Sequence, residues 1–412
     1  MKTPNPLLMS LFVSLAISAC APNPSASSNE SSQSKKKNKR STELALLGEK
    51  IFNDNRLSEP QGMSCASCHN PSQAFTGNNG SSIDAVSAGA LPNTFGDRNS
   101  PTAKYAQFSP EFGFVAETNE SGVVEFTPTG GQFWDGRASN LVEQAKGPFL
   151  NPREMNNPSK AAVVDKIASG SYANLFRSVF GGNAFQNKDK AYDQVAEAIS
   201  AFEHEAKVSP FSSKFDAVLQ GHEQFTAEEA QGFALFKDAE KGNCVACHAG
   251  NVDSKNSKDW LFTDFTYDNL GVPRNNLIPD NQDPSHFDLG LCKQPGIETR
   301  APAGFDIESV CGAFKVPTLR NIALTGPYMH NGYFTSLRDV VKFYVTRNTN
   351  PELWYPVDQA GNVLKYNDLP TAYQGNVNNE EVPYDRKLGE APRLDDSEID
   401  AVVAFLKTLT DR

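Results

Sequence analysis

Two pentapeptides carry the most distinctive chemistry in this chain: Cys65-Ala66-Ser67-Cys68-His69 and Cys244-Val245-Ala246-Cys247-His248. Both are C-x-x-C-H. Two thiols two residues apart, with a histidine directly after, suit covalent addition across two haem vinyl groups and axial ligation of the iron by the adjoining imidazole, here His69 and His248. Roughly 0.002 such pentamers would arise by chance at these Cys and His frequencies. Two copies therefore point to two covalently bound c-type haems. A zinc site or a redox dithiol would need other partners, and neither accounts for a histidine in both copies.

The elements that must position these motifs repeat as well. Gly48-Glu49-Lys50-Ile51-Phe52 and Gly232-Phe233-Ala234-Leu235-Phe236 each lead into a C-x-x-C-H. Each reads as a short helix whose Phe packs on the haem. The two histidines are 179 residues apart, a spacing that implies two cytochrome-c-like domains rather than a compact multihaem array. Most other segments are helical by period. After Asp396-Ser397-Glu398, apolar residues fall at Ile399, Val402, Val403 and Leu406, the i, i+3, i+4, i+7 pattern of one helix face. Strand patterns are few, and the Gly, Asn and Pro-rich stretches 75–130, 250–310 and 350–392 read as long loops around the haems. The expected fold is mainly α, with an N-terminal haem domain over 42–205 and a C-terminal one over 206–412.

Composition bounds the rest. The 412 residues are 39% hydrophobic and include 27 Phe, enough for real cores, and the net charge is −11. Wholesale disorder and a generally basic nucleic-acid-binding surface are excluded. The run Leu7–Ala19 is too short to span a bilayer as a helix. With Lys2 before it and Ile17-Ser18-Ala19-Cys20 after it, residues 1–19 read as a secretory signal. The Cys20 context resembles a bacterial lipoprotein signal, which implies lipid on Cys20 and, with Ala21 following, an outer-membrane anchor facing the periplasm. The alternative is an ordinary signal peptide containing a Cys. Residues 20–41 are expected as a flexible tether. Of the remaining cysteines, Cys292 and Cys311 are expected to form a disulfide in an oxidising compartment, with two free thiols as the alternative.

Three further motifs join the haem motifs: Gly131-Gln132-Phe133-Trp134-Asp135-Gly136-Arg137, Val316-Pro317-Thr318-Leu319-Arg320-Asn321 and Pro327-Tyr328-Met329-His330-Asn331-Gly332. Together they resemble the bacterial di-haem cytochrome c peroxidase family, which includes MauG-type enzymes, over roughly residues 41–410. Conventional members supply a distal His to the N-terminal haem. Here the histidines are 69, 204, 222, 248, 286 and 330, none in the matching region. The resemblance then implies a five-coordinate His69 haem open to peroxide, as in the MauG-type branch. Conventional members ligate the second haem with Met. The matching position, 14 residues after His330, is Tyr344, on the inward face of an expected helix over 336–345, so the resemblance implies His248/Tyr344 ligation. It also implies Glu154 as acid/base, Gln144 as its hydrogen-bonding partner, Pro148 shaping the same pocket and Trp134 between the haems. A Ca²⁺ between the domains would be held by Asn99 and the carbonyls of Thr325 and Pro327. Arg137 and Arg320 are expected to pair with propionates or carboxylates. His204, His222 and His286 read as ordinary polar residues.

Three function classes follow. The first is a MauG-type peroxidase that reacts with H₂O₂ at the open haem and draws electrons through Trp134 and the second haem from a protein substrate or small redox protein. The second is a conventional cytochrome c peroxidase fed by a small cytochrome or cupredoxin, with Met329 or another group on the second haem. The third, a plain electron-transfer cytochrome, has little use for an open coordination site.

Overall fold

Helical periodicity builds most of the framework. The computed structural model describes residues 27–119 and 121–412, with side chains from residue 37. The signal segment 1–19 and Cys20 lie outside the described residues. The helices are α1 (Ser27–Phe52), α2 (Cys65–Cys68), α3 (Leu141–Leu150), α4 (Lys160–Ala168), α5 (Ala173–Phe180), α6 (Lys188–Glu203), α7 (Lys214–Leu219), α8 (Ala227–Lys237), α9 (Ile297–Arg300), α10 (Leu337–Thr346) and α11 (Asp396–Lys407). Two short antiparallel pairs are the described sheets: β1 (Gly113–Thr118) with β2 (Val124–Thr129), and β3 (Tyr267–Asp268) with β4 (Phe314–Lys315). The chain divides into residues 1–42 and a compact unit, 43–412.

Residues 27–41, expected as part of a flexible tether, are helical and form the first part of α1. After Pro24 the segment holds no Pro or Gly before Gly48, and its Lys35–Lys37, Lys39 and Arg40 are good helix formers. Elsewhere the start signals act as their residue types dictate. Thr226 with Glu229 caps α8 and Asp395 with Glu398 caps α11, each in a reciprocal capping box.

Two apolar clusters lie along the chain. One gathers Leu47, Ile51 and Phe52 of α1, Phe149 of α3, Val163 and Ile167 of α4, Phe176 of α5 and Val195, Ile199 and Phe202 of α6. The other gathers Phe215 of α7, Leu235 and Phe236 of α8, Trp260, Phe262 and Ile399, Val402 and Phe405 of α11. A third, around Phe334, Phe343, Tyr355 and Tyr366, backs α10. Each fully buried aromatic contributes roughly 1.5–3 kcal/mol of transfer free energy.

The first two clusters are built on the same contact. A Cβ on Gly48 would lie 1.8 Å from the Ala198 carbonyl oxygen and 2.9 Å from Phe202 Cβ; one on Gly232 would lie 1.9 Å from the Ala401 oxygen and 2.9 Å from Phe405 Cβ. α1 thus crosses α6, and α8 crosses α11, at a distance only glycine permits. The aromatic pairs beside the crossings match too: Phe52–Phe202 at 5.1 Å and 55°, Phe236–Phe405 at 5.2 Å and 58°. Gly48→Ala and Gly232→Ala are each expected to destabilise by about 1–3 kcal/mol through overpacking, read as a lower midpoint in denaturant melts.

Candidate active site: two histidine-bearing cavities with a shared wall

Each C-x-x-C-H sits at the mouth of a large, mainly apolar cavity. In the smaller cavity Cys65, Cys68 and His69 are joined by Phe52, Phe149 and Ile199; in the larger, Cys244, Cys247 and His248 are joined by Phe236, Leu406 and Val402. The histidines are held alike. His69 Nδ1 lies 3.2 Å from the Phe75 carbonyl, and His248 Nδ1 lies 3.2 Å from those of Phe262 and Pro317. A backbone oxygen can only accept, so Nδ1 carries the proton and Nε2 keeps its lone pair for a metal. Burial pushes both imidazoles down, His248 to about 4, so both are neutral and ready to ligate at physiological pH.

The thiols argue in the same direction. None of the four is in a disulfide. Burial pushes Cys68 up to about 11 and both Cys244 and Cys247 up to about 12, and it raises Cys65 as well. A catalytic dithiol needs the opposite shift. Cys247, Asp268 and Glu381 are the one described grouping of metal-binding side chains, which is not a four-ligand zinc set. Flat apolar space, two unpaired cysteines and one neutral imidazole per cavity fit covalent haem in both.

The remaining linings of the two cavities differ. In the smaller cavity α3 presents Leu141, Gln144, Ala145 and Pro148, one helix face, and the following turn adds Glu154 and Met155. Asn140 starts α3 by accepting from the Glu143 amide. Backbone bonds from Met155 to Pro148 (3.1 Å) and from Ala90 to Glu154 (2.7 Å) fix the turn. Burial pushes the Glu154 carboxyl up to about 7, with Arg137 opposing and Asp97 adding to the rise. Besides His69, no histidine lines this cavity. Gln144, Pro148 and Glu154 are thus brought together.

In the larger cavity α10 presents Leu337, Val340, Val341 and Tyr344. Tyr344 packs on Tyr384, with ring centroids 5.6 Å apart, and the Arg347 guanidinium lies over Tyr384 at 4.7 Å. Burial raises the Tyr344 phenol well above its usual range. Met329 lines the same cavity.

Residues 99–102 and 132–134, Trp134 among them, line both cavities. The Trp134 indole donates to the Asn99 carbonyl at 2.8 Å, and its own carbonyl accepts from the Lys315 amide at 2.8 Å. The wall is braced by Arg98, which pairs with Asp135 at 2.7 Å and Asp288 at 2.6 Å. Burial pushes Asp288 up, but Arg98 outweighs it and holds the carboxyl at about 2.

Of the expected calcium donors, the Asn99 side chain meets the Pro327 carbonyl, with Nδ2 at 2.6 Å. Thr325 lines the larger cavity nearby. An ion there would need Oδ1 turned inward and waters to reach six or more oxygens, so these donors fit Ca²⁺ only as part of a hydrated set. His330 stacks on Phe314 at 3.6 Å. Cys292 and Cys311 form a disulfide.

The sequence of known proteins decides the family. The description "Di-haem cytochrome c peroxidase" matches residues 42–224. The methylamine utilization protein MauG of Paracoccus denitrificans is 39% identical over 377 residues, 90% of this chain and 89% of that protein. The chain belongs to the di-haem cytochrome c peroxidase family. A second member, cytochrome c551 peroxidase of Nitrosomonas europaea, is 32% identical over 303 residues, 73% of this chain and 72% of that one. The solved diheme peroxidase BthA of Burkholderia thailandensis superposes with a TM-score of 0.81 at 40% identity, covering 89% of this chain and 86% of that one. This family member is a di-haem peroxidase acting on peroxide, and the family carries two c-type haems.

Both arginines pair with carboxylates. Arg320 is fully buried and donates to Asp216 (3.0 Å, two bonds), the Trp260 carbonyl (2.8 Å) and the Ser257 carbonyl (3.0 Å). Burial pushes Asp216 up, but hydrogen bonds from Arg320 outweigh it and hold the carboxyl below its usual range. Arg137 pairs with Asp135 at 3.0 Å and stacks on Phe133 at 3.7 Å. Sequence reasoning missed Tyr384, Lys315 and Glu203, each a cavity-lining residue in a segment without a motif. Asp216→Asn leaves a buried guanidinium without its counter-charge. It is expected to cost about 3–5 kcal/mol, measured by equilibrium unfolding.

Proposed function

We propose that this peroxidase is of MauG type: H₂O₂ enters the open side of the His69 cavity, and electrons reach it from the His248 cavity by way of Trp134. The observation that carries this reading is the smaller cavity, lined by one neutral imidazole together with a carboxyl whose pKa burial brings to about 7, an amide and a proline. When bound, the haems supply peroxide reduction and electron transfer. The residues around them bind, orient and move protons. Glu154 in its ionised form accepts a proton from H₂O₂ and returns it to the departing oxygen. Gln144, one turn before Pro148 on α3, holds the peroxide by hydrogen bonding. Pro148 contributes no N–H and keeps the surface narrow.

The same reading takes residues 42–205 and 206–412 as the two haem domains, with Cys65, Cys68 and His69 holding one haem and Cys244, Cys247, His248 and Tyr344 the other. A buried phenol on the cavity-lining face of α10, at the position that the family resemblance gives to the second ligand, supports Tyr344 in that role. Asn99, Thr325 and Pro327 would share a hydrated Ca²⁺. Cys20 would carry lipid on the periplasmic side of the outer membrane. The electron source is a small redox protein or a protein substrate. The conventional reading has one observation in its favour: Met329 also lines the larger cavity.

Three measurements test the reading. The ferric protein, without prior reduction, should respond at both haem absorption bands to one equivalent of H₂O₂. A ferric protein that is inert until half-reduced would make it a conventional peroxidase. Tyr344→Phe should change the ligation of the second haem by EPR, and unchanged low-spin signals would remove Tyr344 as ligand. For Glu154, held up to about 7, the base form grows as pH rises. kcat/KM for peroxide should therefore climb through about pH 7, and Glu154→Gln should lower it by about 10²–10⁴ and abolish that limb.

A further inference from the structure

The two helix crossings make the halves of the molecule internally comparable. Ala198 and Phe202 on α6 occupy the places of Ala401 and Phe405 on α11. One residue beyond each Phe therefore corresponds as well: Glu203 in one half, Leu406 in the other. One residue beyond each Ala gives Ile199 and Val402. All four line their cavities. Three are aliphatic, as a haem-packing position requires. The fourth is a carboxyl.

Glu203 is 5% exposed, and its Oε2 is buried with no hydrogen-bond partner in the protein. An unpaired buried carboxyl is costly, so an aliphatic residue would be the cheaper choice there, as Leu406 is. No ion pair reaches it. It is the last residue of α6, where the helix dipole disfavours a negative charge. These features together select the protonated form, and burial pushes the group up to about 8. The one described partner class left for its O–H is whatever fills the cavity.

We propose that Glu203 is a neutral carboxylic acid that donates a hydrogen bond into the His69 cavity, and that it tunes the potential of the haem held there while leaving the other haem alone. It is a positioning and tuning residue, separate from Glu154. The inference rests on the reading that His69 ligates a haem. A donor directed at the haem or its ligands withdraws electron density and raises the potential, whereas an ionised carboxylate would lower it. The sign of the effect therefore reports the protonation state.

The test is spectroelectrochemical titration of both haems in the full-length holoprotein near neutral pH, for wild type, Glu203→Leu and Glu203→Gln. Glu203→Leu installs the residue that the other half already carries, and Glu203→Gln keeps shape and a donor. The expected result is a lower midpoint for the His69 haem in Glu203→Leu, a near wild-type value in Glu203→Gln, and an unmoved His248 haem in both. A raised midpoint in both variants would mean an ionised Glu203 and would overturn the proposal. So would two unmoved midpoints, which would reduce Glu203 to packing. If Glu203→Leu fails to fold, Glu203→Met takes its place as the variant without a donor: a lowered midpoint beside a near wild-type Glu203→Gln supports the proposal, and an unmoved or raised one overturns it. A wild-type protein with haem at His248 only would instead sink the site reading on which the inference stands.

Discussion

The contact on which the rest depends is the crossing of two helices at a glycine, made twice. At Gly48 and at Gly232 the neighbouring helix backbone comes to within a distance that no Cβ survives. That approach sets Phe52 beside Phe202 and Phe236 beside Phe405, and the first ring of each pair lines its cavity. The C-x-x-C-H motif follows each crossing helix by a short loop, so its histidine is delivered to the same side. Backbone carbonyls then orient the ring. The chemistry of the site begins with a steric fact about two helix backbones.

From that common frame the halves diverge in the other segments that line the cavities. In one, α3 and the turn after it present an amide, a proline and a carboxyl whose desolvation brings it near neutrality. In the other, α10 presents aliphatic residues and a tyrosine stacked on a second tyrosine. The first arrangement presents a proton acceptor to its cavity, and the second presents a phenol. One architecture thereby frames two cavities of different chemistry.

Much of this was legible in the sequence because haem attachment leaves a covalent signature. Cys65-x-x-Cys68-His69 and its partner announce cofactor and ligand together, and the Gly48 and Gly232 repeat announces the helices. The period of Ile399, Val402, Val403 and Leu406 gave α11, all four of which are buried. Glu154, Gln144 and Trp134 were legible only through resemblance, since a lone carboxylate or indole has no spacing to betray it. The helical course of 27–41 was missed because a polar, Lys-rich composition reads as solvated chain whether or not its residues favour the helix. Glu203 was hidden for another reason: a glutamate ending a helix looks like any surface acid until the crossing shows which way that face points. Tyr384 and Lys315 lie in segments with no period, placed by contacts far away in the chain.

The shared wall has a consequence for modularity. Residues 99–102 and 132–134 belong by sequence to the first half, yet they line the cavity of the second as well as their own. Asp411, near the C-terminus, accepts from Lys104 and Tyr105 of the first half. The two halves share one kind of helix crossing but do not part into separate units. Excising either half would strip one side from the other's cavity and expose apolar lining to water. The duplicated fold has become a single enclosure with two chambers, and any change to the partition is felt on both of its faces.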